Sequence, residues 1–348
     1  MRKSVIRVGL ETLYFSGIHR LARQFLAGAG AILTFHRVRP NSGEAFQPNR
    51  LLEITPEFLD EVLTALRAAD IEIIPIGQVA RRLTSPAQHR FVALTFDDGY
   101  RDNLEHAFPV LKRHGAPFTL FVPSAFAEGR GELWWIAIEN AIAKNARIEL
   151  EIDGVLRDFD CATPEGKADA FEAILRYLLS RQTAAEFRSI VRDIAFSYGV
   201  DMARQCREVC MGWEELAAMA EDPLVTIGGH TVTHTILTKL TAAEASAEME
   251  DGARAIEAKL GRRPAHFSYP VGSPAAASAR EFGLAADVGF ATAVTTRPGV
   301  LYPEHARYLT ALPRISVNGE FQRLRYLDVL LSGAATALMN GFRRVDAA

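Results

Sequence analysis

The chain has 348 residues, 49% hydrophobic and 23% charged, enough to bury a core in one large α/β domain or two smaller ones. A net charge of −3 excludes broad nucleic-acid binding, because no positive field is present to gather phosphates. Three cysteines, Cys161, Cys206 and Cys210, are too few for a disulfide framework and read as buried or incidental thiols in a reducing compartment.

The first segment, 1–29, begins with basic residues Arg2, Lys3 and Arg7, but no long apolar run or small-residue cleavage site follows. Ile6, Leu10, Leu13, Ile18, Leu21 and Phe25 recur at helical spacing, interleaved with Arg20 and Arg23. Such a helix either packs on its own domain or lies on an anionic membrane surface. No run approaches the ~20 apolar residues of a spanning helix. The C-terminal segment 321–348 reads in the same two ways.

Between these ends, Ala31–Phe35, Ile71–Pro75, Phe91–Phe96, Phe118–Val122, Val225–Gly229, His266–Pro270 and Phe290–Val294 read as short buried strands. Helices alternate with them. Thr55-Pro56 supplies a cap and a first-turn proline, Asn103–His114 closes at Gly115, and Thr241 to Glu244 forms a capping box. The alternation predicts an α/β fold, a distorted (β/α)7-type barrel over 30–320, rather than an open sheet. Residues 145–215 break the rhythm. Arg147–Phe159 alternates around Asp153-Gly154, a hairpin signal, and helices capped by Thr163-Pro164 and by Thr183 to Glu186 follow. This segment is expected to be a helical insertion bordering the active-site mouth.

Two short motifs carry chemistry. The strand Ala93–Phe96 stops at Asp97-Asp98-Gly99, and Val225–Gly229 runs into His230, with His234 four residues on. Adjacent acids at a strand end are costly to bury unpaired, and in a barrel that end is where catalytic groups sit. The histidines at i and i+4 can share a face if the segment turns helically. One carboxylate and two imidazoles can hold a divalent metal, leaving a second carboxylate free. Either motif alone reads as a solvated turn or a surface pair. Their joint placement at strand ends does not.

Thr95–Tyr100 together with His230–His234 resembles the polysaccharide deacetylase family, which includes chitin, peptidoglycan and nodulation-factor chitooligosaccharide deacetylases. The resemblance spans roughly 30–318 and implies a distorted barrel of about seven units. It implies Asp98, His230 and His234 as metal ligands and Asp97 as general base. It also implies a divalent metal, zinc before cobalt, manganese or nickel. Phe267–Gly272 resembles the family's third motif, which shapes a groove wall with Tyr269 and Pro270, and the Tyr269 backbone N–H would serve the oxyanion. Ala311–Ile315 resembles a late bacterial segment, and Ile32–Arg37 resembles a strand–histidine segment of exopolysaccharide deacetylases.

The chain departs from that pattern in two places. Ser268 stands where relatives carry an arginine, and no histidine lies near Pro313-Arg314. The expected replacements are His36 as general acid, with His266 as a rival, and Arg314 orienting Asp97. The alternative for His36 is a histidine that ends a core strand and bonds the backbone. Trp134 and Trp135 either stack on sugar rings or anchor the insertion. His19, His89, His106, His114 and His305 read as surface positions.

The expected activity is removal of N-acetyl groups from N-acetylglucosamine units of a poly- or oligosaccharide. A small non-sugar amide as substrate, or a carbohydrate-binding protein without activity, are the alternatives. The resemblance and the absence of an export signal suggest action in the cytoplasm or peripheral to the inner membrane.

Overall fold

The computed structural model describes residues 2–85 and 89–347, so Met1 and residue 348, the outer ends of the two predicted terminal segments, lie outside it. Seven strands form the barrel: β1 (Gly30–Phe35), β2 (Phe91–Phe96), β3 (Phe118–Val122), β4 (Val225–Gly229), β5 (His266–Ser268), β6 (Thr292–Pro298) and β7 (Leu312–Ser316). Each pairs in parallel with its chain neighbours, and β1 pairs with both β2 and β7, which closes the ring. Such parallel strands are buried on both faces and read as apolar runs. The β1 run of six buried residues is of that kind.

One predicted strand is placed differently. Among the described residues Glu72–Ile73 pairs only with Phe91 and Val92 at the start of β2, beside the ring. The seventh ring strand is instead Leu312–Ser316, which carries Pro313 and a fully buried Arg314 and so shows no apolar pattern. Its place is set by pairing with β1 and β6, not by composition.

The local signals act as expected. The Thr55 side chain accepts from the Phe58 N–H, and Thr183 and Thr241 form capping boxes with Glu186 and Glu244. Asp153 and Gly154 both take left-handed φ (51° and 78°) and turn the hairpin Arg147–Ile152/Val155–Asp160. The helix expected over Asn103–His114 contains Pro109, which cannot donate to the helical ladder, and its first turn is a π-turn at Asn103–Ala107. The helices of the inserted segment share a core of their own, in which Ile142 and Ile148 meet Phe171, Ile174 and Val191.

The N-terminal segment forms two helices, Arg2–Phe15 and Ile18–Leu26, separated at Gly17. Leu10 is buried with Tyr326, Val329 and Ala335 of the C-terminal helices Leu324–Leu331 and Ala334–Met339. Among the described residues no helix is long and apolar enough to cross a membrane.

Two histidines read as surface positions are buried. His19 bonds the Leu13 carbonyl and Asp328, and His305 bonds the Tyr302 backbone. Both are covered by elements distant in sequence, which local context does not reveal.

His266 opens β5, at the end of the barrel opposite Asp97, with Nδ1 2.8 Å from Thr292 Oγ1. It is therefore no acid for the site. Burial lowers its pKa from 6.5 to about 4. The unfolded chain then binds a proton that the fold does not, so stability present above pH 6.5 is lost as pH falls towards 4. His266→Asn is expected to remove roughly 3 kcal/mol of that loss. Denaturant unfolding of both proteins at pH 7 and near pH 4 measures it.

Candidate active site

Phe96 ends β2, and the next two residues enter the barrel mouth. The Asp97 N–H donates to the Phe35 carbonyl (3.0 Å), which continues the ladder and turns its carboxylate inward. Asp98 has φ 73°, a left-handed conformation that a non-glycine residue adopts only under constraint. Thr231, His234 and Val271 are also left-handed, at 67°, 57° and 62°. All four border one cavity or hold the loop that does.

His230 and His234 do not share a helical face. The segment after β4 is an irregular loop, because other groups satisfy its backbone. Glu248, on the helix Ala242–Leu260, accepts from the N–H groups of Val232 and Thr233 (both 2.9 Å) and from Thr233 Oγ1 (2.7 Å). The His234 N–H donates to Thr231 Oγ1 (2.9 Å). Arg188 of the insertion donates to the hydroxyls of Thr233 and Thr235. The helix lies so close that a Cβ on Gly252 would meet the Thr231 backbone at 2.8 Å. A Cβ on Gly228 would likewise sit 2.4 Å from the Phe121 ring, so glycine is required there.

The result is a trio. Asp98 Oδ1 lies 3.2 Å from His234 Nε2 and 3.4 Å from His230 Nε2. All three residues offer a ligand atom within 4.8 Å of the others. Tetrahedral coordination at about 2.0–2.2 Å separates ligand atoms by roughly 3.3–3.5 Å, so the spacing fits a zinc-sized divalent ion. Two further observations agree. Asp98 Oδ1 is buried yet has no hydrogen-bond partner among the described residues. His230 Nδ1 donates to the Ser268 carbonyl (2.6 Å), which fixes the tautomer and leaves the Nε2 lone pair aimed at the trio. Burial alone would raise the Asp98 pKa, whereas positive charge facing it, on the imidazoles when they are protonated, lowers it well below the carboxylate range.

Asp97 is held separately. Arg314 donates to it through two nitrogens, Nη1 to Oδ1 (2.8 Å) and Nη2 to Oδ2 (2.7 Å). The Arg314 side chain is itself fixed by the Thr295 carbonyl (2.8 Å), Thr95 Oγ1 (3.2 Å) and Ser268 Oγ (3.0 Å). Ser268 Oγ also donates to Asp97 Oδ2 (3.3 Å), so a small hydroxyl lets the guanidinium arrive from β7. Burial works to raise the Asp97 pKa; the Arg314 charge and hydrogen bonds prevail and lower it. Asp97 is a carboxylate at neutral pH.

His36 follows β1 and puts Nε2 3.9 Å from Asp97 Oδ2, one-fifth exposed. Its backbone carbonyl accepts from Asn103 Nδ2 (2.9 Å), and Asp102 ties down the adjacent Arg37 (2.7 Å) and the Val38 N–H (3.1 Å). Burial lowers the His36 pKa, against the pull of Asp97 and Asp98.

Two expectations fail on geometry. The Tyr269 N–H already donates to the Val294 carbonyl (3.1 Å), and its hydroxyl donates to the Thr310 carbonyl (2.8 Å). Tyr269 and Pro270 are both buried, and Val271 forms the cavity wall instead. Tyr269 is thus no free oxyanion donor here. Trp134 and Trp135 both line the cavity. Trp135 is mostly packing: its Nε1–H donates to Tyr100 Oη (2.9 Å) and its ring lies 4.9 Å from that of His234. Glu248 and Arg188 carry no sequence signal, since each meets the histidine loop only through the tertiary fold.

Closed parallel barrel, acid-and-histidine trio and separately paired carboxylate together define a hydrolase site at the C-terminal ends of the strands. The polysaccharide deacetylase family profile matches residues 84–149 and 159–291, more than half of the chain, which therefore belongs to that family. It is a hydrolase acting on amide bonds. Among solved structures, the Streptococcus pyogenes deacetylase PplD in complex with acetate is 18% identical (TM-score 0.56, covering 86% of this chain and 97% of that one). IcaB from Ammonifex degensii is 17% identical (TM-score 0.55, 88% and 97%). A de-N-acetylase from Aggregatibacter actinomycetemcomitans is 11% identical (TM-score 0.53, 86% and 99%). At these identities the likeness bears on the fold. No curated protein matches.

Proposed function

We propose that this hydrolase removes N-acetyl groups from N-acetylglucosamine units of a poly- or oligosaccharide, such as a chitooligosaccharide, in a metal-dependent reaction. The observation that carries the reading is the division of labour between two adjacent buried acids. Asp98 faces two imidazoles, while Asp97 faces a guanidinium. A divalent ion, zinc first, held by Asp98, His230 and His234 would polarise the amide carbonyl and acidify a water.

The remaining roles fall to side chains. Asp97 accepts the proton from the attacking water at its carboxylate, and Arg314 keeps that carboxylate ionised and aimed. His36 protonates the departing amine. Burial lowers the His36 pKa and so favours its neutral ring, and the proton it donates is delivered during turnover. Asp97, 3.9 Å away, carries the proton just taken from water and is the available source. Trp134 offers a half-buried ring to a sugar face. The domain reading that goes with this is a catalytic barrel over 30–320, its mouth bordered by the 145–215 insertion and its flank by the segments 1–29 and 321–348. The terminal helices set the enzyme against the cytoplasmic face of a membrane.

The test is acetate release from an N-acetyl chitooligosaccharide by purified protein. Activity is expected to disappear after chelator treatment and to return with added zinc. Retained activity in the fully stripped protein would overturn the metal-dependent reading.

A further inference from the structure

The cavity at the barrel mouth is larger and more apolar than one sugar requires. It encloses about 560 Å³ and is lined by His36, Asp97 and the metal-ligand trio, but also by Ile6, Leu10, Phe321, Leu330 and Met339 of the terminal segments. Sugar hydroxyls buried against such an aliphatic wall would lose their hydrogen bonds to water, at about 1–3 kcal/mol each. A hydrocarbon chain loses nothing there and gains by leaving water.

The same helices keep a second apolar face in solvent. Phe15, Leu21 and Phe25 are 74%, 73% and 75% exposed, and Leu338, Met339 and Phe342 are also exposed. Met339 belongs to both surfaces: it is 57% exposed and lines the cavity. Cations accompany this face. Arg7, Arg20 and Arg343 are exposed, and Arg344 pairs with Glu304, whereas the only acids in the four terminal helices, Glu11 and Asp328, are bonded to Arg325 and Arg23. An apolar face with a basic border matches the surface of a bilayer containing anionic lipid.

We propose that the substrate is an N-acetylated amino sugar carried on a long membrane-embedded hydrocarbon chain, and that the terminal helices dock on the anionic bilayer so that the chain enters the apolar arm of the cavity. The inference rests on the amidase reading above and names its substrate class.

The test uses zinc-loaded full-length protein, vesicles of phosphatidylcholine with phosphatidylglycerol, and N-acetylglucosaminyl polyprenyl diphosphate incorporated in them. The comparison variant is Phe15→Glu/Leu21→Glu/Phe25→Glu, three exposed positions whose replacement leaves the core intact, with fold checked by circular dichroism. The wild type is expected to sediment with the vesicles and to release acetate from the lipid-borne sugar. The variant is expected to lose at least roughly tenfold in both, while its acetate release from a soluble chitooligosaccharide stays unchanged. Vesicle binding by the variant equal to wild type overturns the inference. So does acetate release from the oligosaccharide with none from the lipid-borne sugar, an outcome that leaves the amidase reading standing. Acetate from neither substrate overturns the amidase reading itself.

Discussion

Asp97→Asn is expected to lower kcat for acetate release by about 10²–10⁴-fold while the protein still binds zinc. The reasoning is local. Asparagine keeps the size of the side chain and can still accept a bond from Arg314 through its amide oxygen, but it cannot take a proton from water. The trio is untouched, because Asp98, not Asp97, faces His230 and His234. Metal content measured alongside acetate release separates the two functions. A variant that keeps zinc and loses turnover fits the base role; one that keeps turnover removes Asp97 from the mechanism. His230→Ala is the natural control, because it removes a ligand atom and should lose the metal as well. The lowered pKa of Asp97 adds a sign to the pH profile. The base is already ionised well below neutrality, so the acid limb of kcat/KM belongs at a lower pH than for an ordinary carboxylate.

What the sequence revealed followed from how local each signal was. β2 and β4 were legible because apolar runs stop abruptly at Asp97 and His230, and the capping boxes at Thr183 and Thr241 need only residues three apart. The Asp153-Gly154 turn is local in the same sense. The strand that closes the barrel was not, since Leu312–Ser316 hides a proline and a buried arginine whose partner, Asp97, lies 217 residues away. The helical turn expected between His230 and His234 failed for a similar reason. Glu248, 15 residues beyond Thr233, satisfies the loop backbone that a helix would otherwise have to satisfy itself. Tyr269 shows the limit of a motif: its position matches an oxyanion donor, but its backbone N–H is already used by the ladder to Val294. The residues named from sequence, His36, Asp97, Asp98, His230, His234 and Arg314, nonetheless converge at one mouth. They do so because each lies at, or just beyond, the C-terminal end of a strand, or in β7 with its side chain turned inward, as in the case of Arg314.

Arg314→Met is expected to be the most destabilising single change, at about 3–5 kcal/mol. The side chain is fully buried and bonds Asp97, Thr95, Ser268 and the Thr295 carbonyl. Removing it leaves the buried Asp97 carboxylate with a weak serine donor and with His36 3.9 Å away, and the poorly compensated charge is the source of the cost. Asp97 would respond by holding its proton to higher pH, since burial, which raises its pKa, would no longer be opposed by the guanidinium. Two measurements check this. Urea unfolding should show the Arg314→Met loss, and the Asp97→Asn/Arg314→Met double variant should recover a large part of it, because a neutral amide needs no counter-ion. If the double variant were as unstable as the sum of the two single changes, the cost would lie in lost packing around β7 rather than in the stranded charge. In the single variant the acid limb of the pH profile should also move up, which a purely structural role for Arg314 would not produce.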